Sequence, residues 1–227
     1  MAGRGVVEPE DRVPHPRVQP LDRTDRWAPA VDPLHFDKPM AGVCLARTFG
    51  LELAERHPDV TVGLIPCAAG GSPISAWAPG QFWEQTQSRP YDEALRRTRR
   101  AMQDGVLMGI LWHQGESDAE DGLAEIYEEK LQALIRRLRR DLDAPRVPFI
   151  AGQMGLFGER KSAWDLVDRS HATLPSNVPH TAFVPATGLT SLPDQVHFDG
   201  PSLREFGRRY AAACERLAAD SAYQPVE

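Results

Sequence analysis

Four apolar segments without polar alternation recur along the chain, and helical patterns lie between them. The apolar segments are VTVGLIPCAAGG (60–71), GVLMGILWHQGESD (105–118), VPFIAGQMG (147–155) and TAFVPATGL (181–189). Strands that are apolar on both faces are typical of a parallel sheet covered by helices on both sides. The pattern therefore predicts an α/β fold, with residues 1–227 forming one domain in which a parallel sheet lies between two layers of helices.

Amphipathic periodicity predicts five helices. They are expected within 41–58, 91–105 and 122–142, around Trp164 and Val167, and within 202–219. The clearest is the third, in which leucines recur near the 3.6-residue period of a helix. Residues 1–37 are predicted to be irregular, because their prolines break helices. Trp27, Leu34 and Phe36 nevertheless give this segment apolar side chains that a packed loop can bury.

Composition and charge exclude some classes of partner. The chain has 227 residues, of which 41% are hydrophobic and 26% charged, as in an ordinary globular domain. The net charge of −6 argues against a nucleic-acid partner, because such binding depends on neutralising phosphates. No apolar run approaches the roughly 18 to 20 residues of a membrane span, so no membrane partner is expected.

Two arginine clusters and three cysteines are interpreted as structural. The clusters, at 96–100 and 136–140, fall on predicted helices with acidic neighbours, and they are interpreted as solvated helix faces. Cys44, Cys67 and Cys214 lie far apart and lack the spacing of metal ligands. They are predicted to be buried free thiols.

Polar residues with catalytic chemistry follow the predicted strands, where parallel sheets place their active sites. Gly70 and Gly71 follow the first strand and offer backbone N–H groups, although a tight turn also explains them. Gln114 and Glu116 follow the second strand. An amide donates to a developing oxyanion, and a carboxylate accepts a hydrogen bond from a catalytic partner.

Several residues near these strand ends have simpler interpretations. Ser72 is a candidate nucleophile but lacks the flanking G-x-S-x-G pattern. Ser117 and Asp118 suit the cap of a helix. His113 and Glu116 are discounted as metal ligands, because no other cluster supplies enough matching ligands.

Two Asp-x-x-His pairs occur, and their positions separate them. A histidine that acts as a general base needs a carboxylate to hold its tautomer. Asp194 and His197 follow the fourth strand, whereas Asp32 and His35 lie in the proline-rich N-terminal segment. The first of these pairs is therefore favoured.

Taken in order, AAGGSPISAW (68–77), WHQGESD (112–118) and DQVHFDG (194–200) resemble the SGNH hydrolases. The similarity is to the carbohydrate-esterase branch that contains the sialate O-acetylesterases and acetylxylan esterases, and WHQGESD is the most specific of the three motifs. The resemblance covers the whole chain, including WAPAVDPLHFDKPMAGV (27–43). It implies a three-layer α/β/α flavodoxin-like fold with five parallel strands. Since four are predicted here, the first strand is expected to be missing, with a gap or re-pairing in the sheet.

The resemblance also implies roles for single residues. His197 is expected to be the general base that takes the proton of a serine nucleophile. Asp194 would orient it, and Glu116 competes with Asp194 for this acidic role. Gln114, with a backbone N–H from Gly70 or Gly71, would form the oxyanion hole. The mechanism requires no metal and no cofactor.

The serine itself is expected just upstream of Met1. In the family it lies in a Gly-Gln-Ser-Asn block that often continues as Met-x-Gly, and this chain begins MAGRG. The chain is therefore interpreted as beginning inside that block. MAGRG has no signal-peptide pattern, but a leader could lie in the same upstream segment.

The leading hypothesis is a serine esterase that removes O-acetyl groups from an acetylated carbohydrate. One alternative is a catalytically inactive carbohydrate-binding protein on the same scaffold. Another is an SGNH esterase for small esters or lipids. WHQGESD disfavours this last alternative, as does the lack of a long exposed apolar stretch.

Overall fold

A computed structural model describes residues 1–159 and 162–220, which form parallel strands connected through helices. The strands are β1 (Val18–Pro20), β2 (Val62–Leu64), β3 (Ile110–Trp112), β4 (Phe149–Gly152) and β5 (Thr181–Val184). The helices are α1 (Leu45–Arg56), α2 (Pro90–Ala101), α3 (Tyr127–Asp141), α4 (Ser162–Ala172), α5 (Leu174–Asn177) and α6 (Gly200–Asp220). Short 3₁₀ turns occur at Pro9–Arg12, Ile74–Trp77, Glu116–Asp118 and Ala124–Ile126. The four predicted strands and the five predicted helices are confirmed within these bounds.

The strands form two parallel ladders. In the first, β1 pairs with β2 and Val18 lies opposite Val62. In the second, β3, β4 and β5 pair in that order, and Phe149 lies between Ile110 and Thr181. Over residues 1–159 and 162–220 the two ladders are separate, which agrees with the predicted gap in the sheet.

The strand β1 corrects the expectation that residues 1–37 are irregular. Its only ladder partner among the described residues is β2, so β1 can contain a proline that donates no hydrogen bond. The Pro20 carbonyl instead accepts from the N–H of Ala28, at 3.0 Å. Leu21 continues the pairing by donating to the Leu64 carbonyl, at 2.8 Å. The many prolines of residues 1–37 therefore led the sequence analysis to miss a short edge strand.

Helices cover both faces of the strands. On one face α1 contacts β1 and β2, α6 contacts β4 and β5, and these two helices pack against each other. This helix pair spans the gap between the ladders and buries Phe49, Phe206 and Tyr210. On the other face α2, α3 and α4 pack around Trp112 and Phe149. The architecture has the three layers that were predicted.

Two arginines of the predicted solvated clusters are buried. The Arg97 side chain donates to the Leu21 carbonyl at 2.7 Å and to an Asp25 carboxylate oxygen at 2.8 Å. Arg139 donates to the carbonyls of Val147 and His180, at 2.9 and 2.8 Å. The interpretation as solvated faces is wrong for these two arginines, because their guanidinium groups are buried and donate to backbone carbonyls of neighbouring loops.

The three cysteines are free, and they differ in burial. Cys44 is buried, whereas Cys67 and Cys214 are half-buried, so the prediction of burial holds fully only for Cys44. Desolvation raises the pKa of Cys67 and Cys214 to about 11, which keeps both thiols protonated at neutral pH. In the described part of the chain, no helix combines the length and apolar character that crossing a membrane requires.

Gly152, the last residue of β4, permits the close approach of α6 to the sheet. A Cβ at this position would overlap the Tyr210 hydroxyl and would lie 2.9 Å from His113 Nδ1. That hydroxyl donates to the Trp112 carbonyl at 2.7 Å and fastens α6 to the end of β3. This contact holds together the strand ends that carry the candidate site.

We expect Gly152→Ala to destabilise the protein by about 2–4 kcal/mol. Overpacking of a core costs about 1–3 kcal/mol and a lost hydrogen bond about 1 kcal/mol. Thermal and urea unfolding measure the change. Gly105→Ala is the matched control, because a Cβ there meets nothing within 4 Å. Equal unfolding midpoints for the two variants would show that the Tyr210 contact does not restrict residue 152.

Candidate active site

Of the six predicted site residues, all but Asp194 line one cavity of about 240 Å³. Its wall contains Gly70, Gly71, Gln114, Glu116 and His197. The other lining residues are Met1–Arg4, Ala69, Ser72, His113, Ser117, Val196 and Phe198. The cavity thus lies where the carboxyl ends of β2 and β3 meet the loop after β5 and the first residues of the chain. This is the usual place for a site in a parallel sheet.

His197 and Asp194 form a hydrogen-bonded pair beside this cavity. The loop between β5 and α6 carries both residues, and His197 Nδ1 lies 2.7 Å from Asp194 Oδ2. Asp194 Oδ1 also accepts from the N–H groups of Val196 and His197, at 2.9 and 3.0 Å. Because the ionised carboxylate can only accept a hydrogen bond, Nδ1 carries the ring proton, and this tautomer leaves Nε2 available as a base.

The Asp194 carboxylate is held ionised. Desolvation opposes ionisation, but the backbone N–H and ring of His197 and the N–H of Val196 outweigh it and lower the pKa of Asp194 to about 2. The stability that this carboxylate contributes is therefore present above its ordinary pKa near 3.8 and is lost as pH falls towards 2.

Asp32 and His35, the other Asp-x-x-His pair, lie in a more buried environment than Asp194 and His197. Asp32 is buried, and its Oδ1 lies 3.5 Å from the Cys44 sulfur. Desolvation raises the pKa of Asp32 to about 6 and lowers the pKa of His35 to about 3. A histidine that resists protonation this strongly is a poor general base, and this supports the choice of His197.

Glu116, the competing acidic partner, faces a different histidine. Its Oε1 lies 3.9 Å from His113 Nε2, whereas Asp194 contacts His197 directly. The geometry thus favours Asp194 as the residue that orients His197. Glu116 is about one-third exposed and remains a polar group of the cavity wall.

The Gln114 carboxamide supports the loops of the site. Its Nε2 donates to the Ser72 carbonyl at 3.1 Å and to Asp118 Oδ2 at 2.7 Å, and its Oε1 accepts from the Tyr127 hydroxyl at 2.9 Å. Both amide protons are therefore used. The oxyanion role of Gln114 stays a prediction, and it requires one of these bonds to open.

The two glycines have different surroundings. The Gly70 N–H donates to Asp37 Oδ2 at 2.9 Å, so that carboxylate already uses one predicted oxyanion donor. Gly71 has φ of +75°, a conformation that favours glycine, and its carbonyl accepts from Ser117 Oγ at 2.9 Å. Of the two, Gly71 is the stronger candidate donor.

Ser72 serves the loop and is poorly placed as a nucleophile. It is 3% exposed, and its hydroxyl donates to the Ala69 carbonyl at 2.8 Å. The same oxygen accepts from the Trp77 indole N–H at 3.0 Å. Because the Ser72 hydroxyl both donates and accepts a hydrogen bond, its role is to stabilise the turn after β2.

Sequence reasoning missed the charged residues behind the glycine loop. Arg4 Nη2 lies 3.8 Å from Asp37 Oδ2, and Arg4 lines the cavity. Lys38 Nζ donates to Gln85 Oε1 at 2.7 Å, and both of these residues border Gly71. Asp37 and Lys38 lie inside WAPAVDPLHFDKPMAGV, the stretch already included in the resemblance, and this was the available signal.

Comparisons with known proteins agree with the motifs. The model of a family described as "Carbohydrate esterase, sialic acid-specific acetylesterase" matches residues 1–216. A "probable carbohydrate esterase" of Arabidopsis thaliana is 29% identical over 235 residues, covering 94% of this chain and 85% of that protein. A "probable 9-O-acetyl-N-acetylneuraminic acid deacetylase" of Escherichia coli K12 is 25% identical, covering 62% of this chain and 56% of that protein.

A solved structure agrees with the fold. The X-ray structure of a protein from Arabidopsis thaliana matches with a TM-score of 0.84 and 28% identity, and the match covers 95% of this chain and 93% of the other. This similarity over nearly the whole length confirms the predicted three-layer α/β/α architecture.

Proposed function

Since the chain belongs to the carbohydrate esterase family of sialic acid-specific acetylesterases, we propose that it is a serine esterase that removes O-acetyl groups from carbohydrate. The observation that carries the proposal is the 2.7 Å contact between His197 Nδ1 and Asp194 at the side of the cavity. With the ring proton on Nδ1, the Nε2 atom has the free lone pair that a general base needs. Gly71 supplies a backbone donor on the same cavity wall.

The proposed nucleophile is a serine in the segment that precedes Met1. The support is positional, because Met1, Gly3 and Arg4 line the same cavity as His197. A side chain joined closely to Met1 would therefore enter the site beside the imidazole. A serine activated by a neighbouring histidine is the arrangement that acyl transfer requires.

The reaction then proceeds through an acetyl-enzyme. The serine oxygen attacks the acetyl carbonyl carbon while His197 Nε2 takes the hydroxyl proton, and the Gly71 N–H donates to the oxyanion. Collapse of this intermediate breaks the bond to the sugar oxygen, which receives the proton from His197. Water next attacks the acetyl-serine with His197 again as base, and acetate leaves.

Acetate release from defined substrates tests the proposal. We expect the protein isolated from its source cells to release acetate from 9-O-acetyl-N-acetylneuraminic acid or from acetylated xylan oligosaccharides. A fluorophosphonate probe should label it, since such probes react with activated serines, and peptide mapping should place the label in the segment before Met1. Hexanoyl and decanoyl esters of p-nitrophenol serve as the comparison substrates.

Each alternative hypothesis has its own outcome. Binding of these glycans with neither acetate release nor labelling would contradict the esterase and favour the carbohydrate-binding protein. Faster turnover of the longer acyl esters than of the acetylated sugars would favour an esterase for lipids or small esters. A label on Ser72 would overturn the proposed position of the nucleophile.

A further inference from the structure

The His113 imidazole is a buried polar group in the wall of the catalytic cavity. The residue directly follows β3, and its side chain is 2% exposed. Its ring packs edge-on against Phe198 and Phe206, with ring centroids at 5.6 and 5.3 Å. These contacts fix the plane of the imidazole and hold it against the cavity.

Both nitrogens of this imidazole lack a hydrogen-bond partner among the residues that the structure describes. Leaving a buried donor or acceptor unsatisfied is unfavourable, because the group has lost its hydrogen bonds to water without gaining others. Desolvation holds the pKa of His113 well below its ordinary value, so the ring is neutral and offers one donor and one acceptor. A neutral, immobile imidazole beside a cavity is suited to binding a hydroxyl group.

The two nitrogens have different surroundings. Nδ1 faces the end of β4, since a Cβ on Gly152 would lie 2.9 Å from it. Nε2 lies 3.9 Å from Glu116 Oε1, which is too long for a direct hydrogen bond. Nε2 has almost no accessible surface as the side chains now lie, so an oxygen atom about 2.8 Å from each of the two atoms requires neighbouring side chains of the cavity wall, such as the partly exposed Glu116, to shift.

We propose that His113 and Glu116 together bind a substrate hydroxyl next to the acetylated position, and so select acetyl esters of polyols over simple acetyl esters. The hydroxyl oxygen would accept a hydrogen bond from the Nε2–H of His113, and the hydroxyl would donate a hydrogen bond to the Glu116 carboxylate. This inference rests on the proposed esterase function and deepens it. It makes His113 a specificity residue and leaves proton transfer to His197.

The chemistry of the substrate class explains why such a pair is useful. An O-acetylated sugar carries free hydroxyls beside the ester, whereas an alkyl acetate does not. A site with buried polar groups discriminates strongly against a ligand that leaves those groups unpaired. An apolar wall at the same place would accept both kinds of ester.

A matched pair of small esters tests the inference directly. The esters 2-hydroxyethyl acetate and propyl acetate differ by a hydroxyl in place of a methyl group. We expect wild-type kcat/KM to favour the hydroxyl ester by about 10–100-fold. His113→Phe should reduce this ratio to near one, and His57→Phe, a change at a half-exposed histidine that contacts Glu215, should preserve it.

A second variant and a second measurement keep the test decisive if His113→Phe misfolds or if the protein shows no turnover. Glu116→Ala alters a partly exposed side chain and should also lower the ratio. NMR of protein with ¹⁵N-labelled histidine should show the His113 imidazole signals shifting with the hydroxyl ester but not with propyl acetate. This readout does not need turnover, so a failure to release acetate would count against the esterase and not against the hydroxyl site.

The contrary results are equally definite. Equal kcat/KM for the two esters in the wild type would overturn the inference, as would a full hydroxyl preference retained in both His113→Phe and Glu116→Ala. Equal imidazole shifts with both esters would overturn it as well.

Discussion

Replacing His197 with alanine is expected to lower kcat for acetate release by about 10⁴–10⁶-fold in the protein that carries the proposed serine. In the proposed mechanism the imidazole takes the serine proton and returns it to the sugar oxygen, so its removal leaves the serine hydroxyl without a base. What remains is the rate that oxyanion stabilisation and binding supply. Acetate release at saturating acetylated sugar measures the change.

The control for this variant is His57→Ala. His57 lies at the end of α1, is half exposed, and contacts Glu215 at 2.9 Å. The two variants remove the same side chain from a folded protein. If His197→Ala kept more than about one-tenth of the wild-type kcat, the assignment of His197 as general base would be wrong.

Asp194→Asn is expected to lower kcat by about 10³–10⁴-fold while the loop keeps its shape. Asparagine retains an oxygen that can accept from the N–H groups of Val196 and His197, as Asp194 Oδ1 does. Its NH₂ group would replace the carboxylate oxygen that faces His197 Nδ1 and would favour the tautomer protonated at Nε2. That tautomer cannot accept the serine proton.

The size of this loss separates Asp194 from its competitor. If Glu116 were the acidic partner of His197, Glu116→Gln would lose more activity than Asp194→Asn, and our assignment would be contradicted. Asp143→Asn controls for the change of charge, because Asp143 is exposed and its left-handed backbone suits asparagine. Since the pKa of Asp194 is about 2, its carboxylate stays ionised over pH 4–8, and acid should remove its contribution only as pH falls towards 2.

The order of strands and helices could be predicted from local patterning. Apolar segments without alternation marked β2 to β5, and the helical period marked α1, α2, α3 and α6. Such patterns are local because each strand of a covered parallel sheet is buried on both faces whatever its neighbours are. The short strand β1 shows no such pattern. It is a strand because it pairs with β2, and this pairing is not visible in the local sequence.

The residues of the site could be predicted by position and by motif, but their contacts could not. Topology brings the ends of parallel strands to one edge, and this is why Gly71, Gln114 and His197 share a cavity wall. Whether a polar group is free to act depends on partners distant in sequence. Gln114 bonds to Ser72, and Gly70 bonds to Asp37, across separations that no local pattern reports.

The sequence by itself determined the class of fold, the family and the strand ends at which the candidate site residues lie, because hydrophobic periodicity and motif spacing are properties of short segments. Only the tertiary structure decided which groups at those ends are already occupied and which face the cavity. Hydrogen bonds between loops are formed by packing, and packing assigned Gln114 to loop support, paired Asp194 with His197, and left the His113 imidazole beside Glu116.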